Sequence, residues 1–474
     1  MYCEQGLEHS EISATLECGS CVSIGGKCFV RKGRFLQTMK PSRYNWVLEH
    51  EGETFIFNGA SGCMARIREE HKDAIGAVLA SERPDLMLEL VPADILKNLT
   101  EGGFLVPESL DERSVLRHIA RIPRYSTELA GVTAVVTTRC NFLCPYCQQD
   151  TEQGTDMPCE VVDRLLSLIE STRSQHFSMT LYGGEPLLVP ETCLDLCERT
   201  SAICGRRGMS SRLSMITNGH LLAPGLAEVL AAAGLSSVQV TLDGNQELHD
   251  SRRILKDGGP TFARIVENAL AASELMDVRV RVNLDASVHR GRESIADVER
   301  LFEKKERALV YVSPTRLPDS CSTDANLSSS CGCFGDLFLA RKRLHAKVDG
   351  CCAVHLDSFV LLPDGSFAFC WDEVGVPGAG HGSILERDFP AISARAGWMD
   401  WDPFTSPPCS ECRWLPTCGG GCPRIWIQTG SPKCLFKTDA QYEQFIRINL
   451  MARRGEGGGE EGASKSPPAG GTGS

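Results

Sequence analysis

An α/β chain built on a partial, TIM-like (β/α)6 barrel is the fold class that the sequence predicts, and three observations predict it. Between residues 130 and 313 a β-branched run is followed by a helical stretch six times over. Ahead of this, residues 40–106 mix strand alternation with helical spacing, which predicts a small α+β N-terminal domain. Behind it, residues 345–436 lose that regularity and turn rich in Gly, Pro and Cys, the composition of a domain stapled by metal more than by an apolar core.

Residues 1–38 carry Cys18, Cys21 and Cys28 but no periodic apolar pattern and no fourth ligand at a sensible spacing, so they read as a poorly defined extension. The segment from Met39 reads like a natural domain beginning and is an alternative start. Alternation in YNWVLEHEGETFIFN predicts a hairpin turning at Glu51 and Gly52. Ile75–Ala80 and Val91–Leu99 show helical spacing, and Gly102 and Gly103 lead into a short FLV strand. The barrel strands are expected near 132–139, 178–183, 212–217, 236–243, 277–285 and 308–312, with helices such as Val161–Ser171 and Leu226–Ala233 between them. Strand–helix alternation makes a parallel sheet, and active sites in such barrels form at the C-terminal strand ends. Residues 453–474 have no apolar content to bury and are expected to be disordered.

At 474 residues the chain exceeds what one hydrophobic core supports, so two or three domains are expected. The net charge of −12 argues against nucleic acid or an anionic membrane as the main partner. No run approaches the roughly 18–20 apolar residues of a membrane span, and the N-terminus lacks a signal-peptide pattern, which points to the cytoplasm. Twenty-three cysteines without an export signal point to metal or redox chemistry rather than disulfides.

The most specific motif is TTRCNFLCPYCQQD, in which Cys140, Cys144 and Cys147 follow the first predicted strand. Three thiolates leave one position of a four-iron or zinc site open, and an open metal can bind a substrate or cofactor. Taken alone, the loop also suits zinc. With its aromatic Tyr146, the run resembles the signature of the radical S-adenosylmethionine (radical SAM) superfamily. That resemblance implies a 4Fe-4S cluster whose open iron chelates S-adenosylmethionine, reductive cleavage of that cofactor to a 5'-deoxyadenosyl radical, and an electron donor such as flavodoxin or ferredoxin. It further implies that Gly183, Gly184 and Glu185 contact the methionyl amine, and that Thr217 and Asn218 face the ribose. Thr241 stands where such families usually have Ser, Arg253 pairs with the cofactor carboxylate, and Tyr146 packs near the adenine. Elementary chemistry agrees for Glu185 and Arg253, since a carboxylate accepts from an ammonium and a guanidinium binds a carboxylate in two-pronged fashion. His249 reads as structural, and Cys193 and Cys197, one helical turn apart, as small buried apolar residues.

The C-terminal cysteines Cys352, Cys370, Cys409, Cys412, Cys418, Cys422 and Cys434 resemble in spacing the SPASM domains that carry auxiliary 4Fe-4S clusters. By that resemblance Cys409, Cys412, Cys418 and Cys434 close one cluster, and Cys352, Cys370 and Cys422 hold another. The fourth ligand of the second stays open among Cys351, Cys331, Cys333 and an open iron. The family implies a maturase that modifies a ribosomally made precursor peptide or a protein side chain, forming a thioether or carbon–carbon crosslink. Residues 40–106 are then a possible leader-binding element. Two alternatives remain at this point: an anaerobic sulfatase-maturing enzyme, with Asp372 as a displaced general base, and a non-catalytic zinc-binding protein.

Overall fold

The structure, a computed structural model, describes residues 38–81, 91–147, 154–284, 292–314 and most of 351–446. Expectations for residues 1–37 and 453–474, for Cys331 and Cys333 and for the Cys352 side chain therefore lie outside the described residues. The chain divides into two compact units.

The first unit contains residues 38–108 and the described residues from 438 onward. Its elements are β1 (Met39–Pro41), β2 (Asn45–His50), β3 (Glu53–Asn58), β4 (Met64–Ile67), α1 (Lys72–Ala80), α2 (Ala93–Glu101) and β5 (Leu105–Pro107). The expected hairpin is β2–β3, and both Glu51 and Gly52 take the left-handed conformation that matches the strand twist. Strand β4 adds antiparallel to β3, leaving β2 and β4 as the edges, while β1 pairs with β5. Ile75 and Val78 on α1 and Ile95 and Leu99 on α2, at three- and four-residue spacing, close the apolar core over Ile56, Ala65 and Ile67. Asn58 locks the unit, donating to Asn45 Oδ1 (2.8 Å) and the Gly103 carbonyl (3.0 Å).

The second unit begins with α3 (Glu112–Tyr125), capped by Asp111, whose side chain accepts from the Ser114 amide. The barrel follows as β6 (Leu129–Thr137), α4 (Cys159–Ser171), β7 (His176–Gly183), α5 (Pro190–Arg207), β8 (Ser210–Thr217), α6 (Pro224–Ala232), β9 (Leu235–Leu242), α7 (Gln246–Arg252), α8 (Phe262–Ala272), β10 (Asp277–Leu284), α9 (Arg292–Phe302) and β11 (Ala308–Pro314). All six strands pair in parallel in chain order, as their repeated strand–helix pattern predicts. Strict alternation sorts the faces. Phe177, Met179 and Leu181 of β7, and Val278, Val280 and Val282 of β10, are buried on the helix side, while Ser178, Thr180, Arg279, Arg281 and Asn283 turn to the other. Cys193, Cys197 and Cys204 are buried along α5, the apolar packing role expected of the first two.

One feature goes beyond the sequence reading. The Cys-rich stretch does not stand wholly apart from the barrel, because β12 (Ser358–Leu361) pairs in parallel with β6 and β13 (Phe367–Ala368) pairs antiparallel with β12. The sheet thus has eight strands in the order β11-β10-β9-β8-β7-β6-β12-β13. A four-residue strand is too short a run to tell from loop, and the turn behind it is fixed by left-handed Gly365 and by the Ser366 amide, which donates to Asp364 Oδ1.

Helix α3 fastens the Cys-rich segment. Arg113, Arg117, Arg121 and Arg124 lie along one helix face. Arg113 donates to Glu411 Oε1 (3.0 Å), Arg117 and Arg121 both donate to Asp402 Oδ2 (2.6 and 3.2 Å), and the Arg124 guanidinium donates to the Trp401 carbonyl (2.7 Å) and lies over the Trp401 ring. Asp402 is buried while its two partners are partly exposed, so Asp402→Asn is expected to cost about 2 kcal/mol, discounted for screening from the range of a fully buried pair. Chemical denaturation of the single variant and of its double with Arg117→Gln should show that the two losses do not add.

Candidate active site

The cysteine loop leaves the C-terminal end of β6 and is laid against the segment after α7. Leu143 N–H donates to the Ile254 carbonyl (2.8 Å), Lys256 N–H donates to the Asn141 carbonyl (2.9 Å), and Phe142 and Leu255 form a β-bridge. Within the loop, Cys147 N–H donates to the Cys144 carbonyl and Phe142 N–H to Cys140 Sγ (3.4 Å). Burial pushes the Cys140 thiol up to about 11 and raises Cys144, and Cys140 lies within electrostatic reach of both Cys144 and Cys147. Iron binding at Cys140 and Cys144 would therefore displace their protons. Among the described residues no three Cys, His, Asp or Glu side chains stand ready-formed around a metal. Three thiols carried at this spacing on one loop suit a cluster with an open iron.

Gly183 and Gly184, at the end of β7, press against that loop. A Cβ on Gly183 would overlap the Thr137 carbonyl oxygen and one on Gly184 the Arg139 carbonyl, and the φ of Gly183 is +152°. What approaches these glycines closely is the backbone entering the cysteine loop. Glu185 follows, fully buried: Oε1 accepts from the Leu187 amide (3.0 Å) and Thr217 Oγ1 (2.7 Å), and Oε2 accepts from the Asn218 amide (2.7 Å). Burial raises its pKa, and the Asn218, Thr217 and Leu187 hydrogen bonds pull it back. Thr217 in turn accepts from the Gly219 amide, and Asn218 Nδ2 donates to Asn141 Oδ1 (2.8 Å) in the cysteine loop. Glu185, Thr217 and Asn218 are thus brought together, and they bind the ends of β7 and β8 to the loop.

A second knot forms at the ends of β9 and β10. Arg253 Nη1 donates to the Tyr146 hydroxyl (2.7 Å) and lies 3.8 Å from the buried Asp243 carboxylate, while Arg252 Nε is 3.5 Å from its other oxygen. Asn283 Nδ2 donates to Asp243 Oδ1 (3.0 Å) and to Tyr146 Oη (3.4 Å), and the Arg252 guanidinium lies over the Tyr146 ring. Burial works against the Arg253 charge, but Tyr146, Cys144 and Asp243 hold its pKa above the usual arginine value. Its Nε is buried without a hydrogen-bond partner, a donor left over for a ligand. Thr241, half-buried on β9, lies opposite Arg281 and outside this knot. His249 is structural, as read from sequence: Nδ1 accepts from the Asp243 amide (3.2 Å), so Nε2 donates to Thr261 Oγ1 (3.0 Å), which itself donates to the Arg253 carbonyl. Sequence reasoning missed Asn141, Asp243 and Asn283. Each directly follows a motif position or ends a strand, but only the fold shows which of them point at one another.

In the Cys-rich segment, Cys412, Cys418 and Cys434 each lie within electrostatic reach of Cys409, whose thiol burial pushes up to about 12. Cys370 opens a short turn in which the Glu373 carboxylate accepts from the Phe369 and Cys370 amides (2.8 and 2.9 Å). Asp372 Oδ2 is ion-paired at 3.3 Å with Arg424, two residues beyond Cys422, which ties the Cys370 and Cys422 segments together. Cys351 shares a buried cluster with Ala353, Phe369, Cys370 and Trp398. Trp371 meets Tyr182, one residue before Gly183 on β7, at 5.2 Å between ring centroids.

Comparison with known proteins adds three findings. Residues 134–304 match the family profile described as the radical SAM superfamily. Curated relatives include GTP 3',8-cyclase of Pseudomonas putida (strain W619), 27% identical over 201 residues, covering 41% of this chain and 56% of the relative. A probable GTP 3',8-cyclase of Saccharolobus islandicus (strain L.S.2.15 / Lassen #1) is 31% identical over 177 residues, covering 37% and 53%. The chain spans about half the length of the curated relatives it matches. Among solved structures, native anSMEcpe with bound AdoMet and Cp18Cys peptide shares the fold, with a TM-score of 0.54 and 20% identity over 69% of this chain and 99% of the other.

Two outcomes follow. Gly184→Ala should push the cysteine loop off β7, costing about 1–3 kcal/mol as overpacking does and lowering iron bound per chain after anaerobic reconstitution. Burial, then Arg253 and Arg252, push His249 down to about 2 in the folded protein against 6.5 ordinarily, so between those values the unfolded chain binds the extra proton. Stability from this group is present above about pH 6.5 and is lost as pH falls, at up to about 1.4 kcal/mol per pH unit. Denaturant titrations of cluster-free wild type and His249→Asn should show the shallower acid slope in the variant.

Proposed function

Since residues 134–304 are a radical SAM domain and the chain is an enzyme of the radical SAM superfamily, we propose that it is a maturase that modifies a ribosomally made peptide or a protein side chain. The observation that carries this reading is the joining of the cysteine loop, through β6 and β12, to the segment whose sequence carries Cys370, Cys409, Cys412, Cys418, Cys422 and Cys434. When bound, a four-iron cluster supplies the electron that cleaves S-adenosylmethionine into the 5'-deoxyadenosyl radical that takes hydrogen from a substrate.

The chain's own residues do the rest. Cys140, Cys144 and Cys147 are the thiols for that cluster. Oε2 of Glu185 accepts one hydrogen bond and keeps acceptor capacity for the cofactor ammonium, and Arg253 has a spare buried donor for its carboxylate. Cys409, Cys412, Cys418 and Cys434 are assigned to one auxiliary cluster, and Cys352, Cys370 and Cys422 to another. The shared burial of Cys351 and Cys370 favours Cys351 as its remaining ligand. The first unit offers the edge strand β2, with Val47 exposed, to which an extended leader peptide can add as a further strand. The peptide bound to anSMEcpe is in keeping with such a substrate. A sulfatase-type base at Asp372 is disfavoured, because Arg424 already holds that carboxylate. A non-catalytic zinc protein is set aside by the radical SAM match.

Iron and sulphide analysis of anaerobically purified protein, with electron paramagnetic resonance, tests the reading. About twelve irons per chain, falling to about eight with loss of S-adenosylmethionine cleavage when Cys140, Cys144 and Cys147 become Ala, is the expected outcome. Zinc in place of iron, or cleavage that survives the triple change, overturns it.

A further inference from the structure

We propose that the barrel interior contains an anion subsite in which Arg279 and Arg281 grip a carboxylate of the substrate, an inference that rests on the peptide reading above. Both lie on the β10 face opposite its fully buried valines, the face that carries Asn283 at the strand end. Arg281 Nε donates to Asn283 Oδ1 (3.1 Å), and Asn283 donates to Tyr146 in the cysteine loop. The Arg281 guanidinium is therefore two hydrogen bonds away from the loop that bears the thiols.

The remaining donors are uncommitted. Among the described residues the terminal nitrogens of Arg281 and the whole guanidinium of Arg279 have no partner, and Arg279 is exposed. Their neighbours in register are Gln239 and Thr241 on β9 and Leu309 and Tyr311 on β11, none of them acidic. Tyr311 Oη donates instead to Gln239 Oε1 (2.5 Å), reaching across β10. Other arginines of the chain, among them Arg66, Arg139, Arg199 and Arg206, meet a carboxylate at 2.7–2.8 Å, and Arg124, Arg164, Arg207 and Arg264 are spent on backbone carbonyls. In a protein of net charge −12, two adjacent guanidiniums left without a carboxylate on a sheet interior form a recognition site for one. Inward positions two apart on a strand are about 7 Å apart, so Arg281 sits one such step below Asn283 and within a side chain's length of the strand ends. The cofactor carboxylate is provided for separately, by Arg253 at the mouth. The subsite therefore selects a substrate with Asp or Glu beside the residue that is attacked.

The test uses the full-length reconstituted protein and two probes, N-acetyl-Gly-Glu-Gly-amide and its Gln counterpart, with binding followed by saturation-transfer NMR and titration. The Glu probe is expected to bind about tenfold more tightly, as a charge-assisted pair would, and Arg279→Gln/Arg281→Gln should abolish that preference without shifting thermal melting. Equal binding of the two probes, or a preference that survives the double change, overturns the subsite. Wild-type S-adenosylmethionine cleavage measured on the same sample shows whether the radical SAM reading stands regardless. Displacement of the Glu probe by S-adenosylmethionine would assign the arginines to the cofactor and overturn the proposal. Binding of GTP that depends on these arginines, with none of the Glu probe, would overturn the subsite and the peptide reading together.

Discussion

The candidate site depends on how one short loop is held. Eight residues from Cys140 to Cys147 have too little apolar surface to fold themselves, yet their thiols must face one point. The structure meets this with neighbouring strand ends. Glu185 gathers donors from Thr217 and Asn218, Asn218 passes the restraint to Asn141, and the Ile254–Lys256 segment pairs with the loop backbone. A carboxylate as fully buried as Glu185 would be costly alone, and its three donors convert that cost into a fixed geometry.

The same logic explains the glycines. They do not leave room for a ligand so much as let β7 close on the backbone of Thr137 and Arg139. On the far side, Asp243 collects Arg252, Arg253 and Asn283, and neutral His249 supports the turn beneath them. Charges are thus confined between two knots, with Tyr146 bridging from the loop into the second. The Cys-rich segment is tied to the same frame by β12 against β6, by Trp371 on Tyr182 and by the α3 arginines on Asp402. These three attachments fix the Cys-rich segment to the end of the barrel that carries the cysteine loop.

Much of this was legible in the chain. Six strand–helix repeats specified the parallel sheet, because period-two and period-3.6 burial leave distinct patterns, and the Cys-x3-Cys-x2-Cys loop after the first strand pointed to the superfamily whose profile residues 134–304 match. The Glu51–Gly52 turn was equally plain, since few residues tolerate its backbone. The β12–β13 hairpin was not, as a four-residue strand gains its stability from the β6 edge it joins and carries little signal of its own.

What the sequence determined by itself was therefore the fold class, the metal-binding character and most of the polar residues at the strand ends. The tertiary structure decided which of those residues meet: that Glu185 serves Thr217 and Asn218, that Arg253 holds Tyr146, that Asp372 is spent on Arg424, and that Arg279 and Arg281 are left unneutralised beside one another. The physical reason is that periodicity and spacing are local properties carried by each segment, whereas charge pairing depends on strand register, which only assembly of the whole sheet fixes.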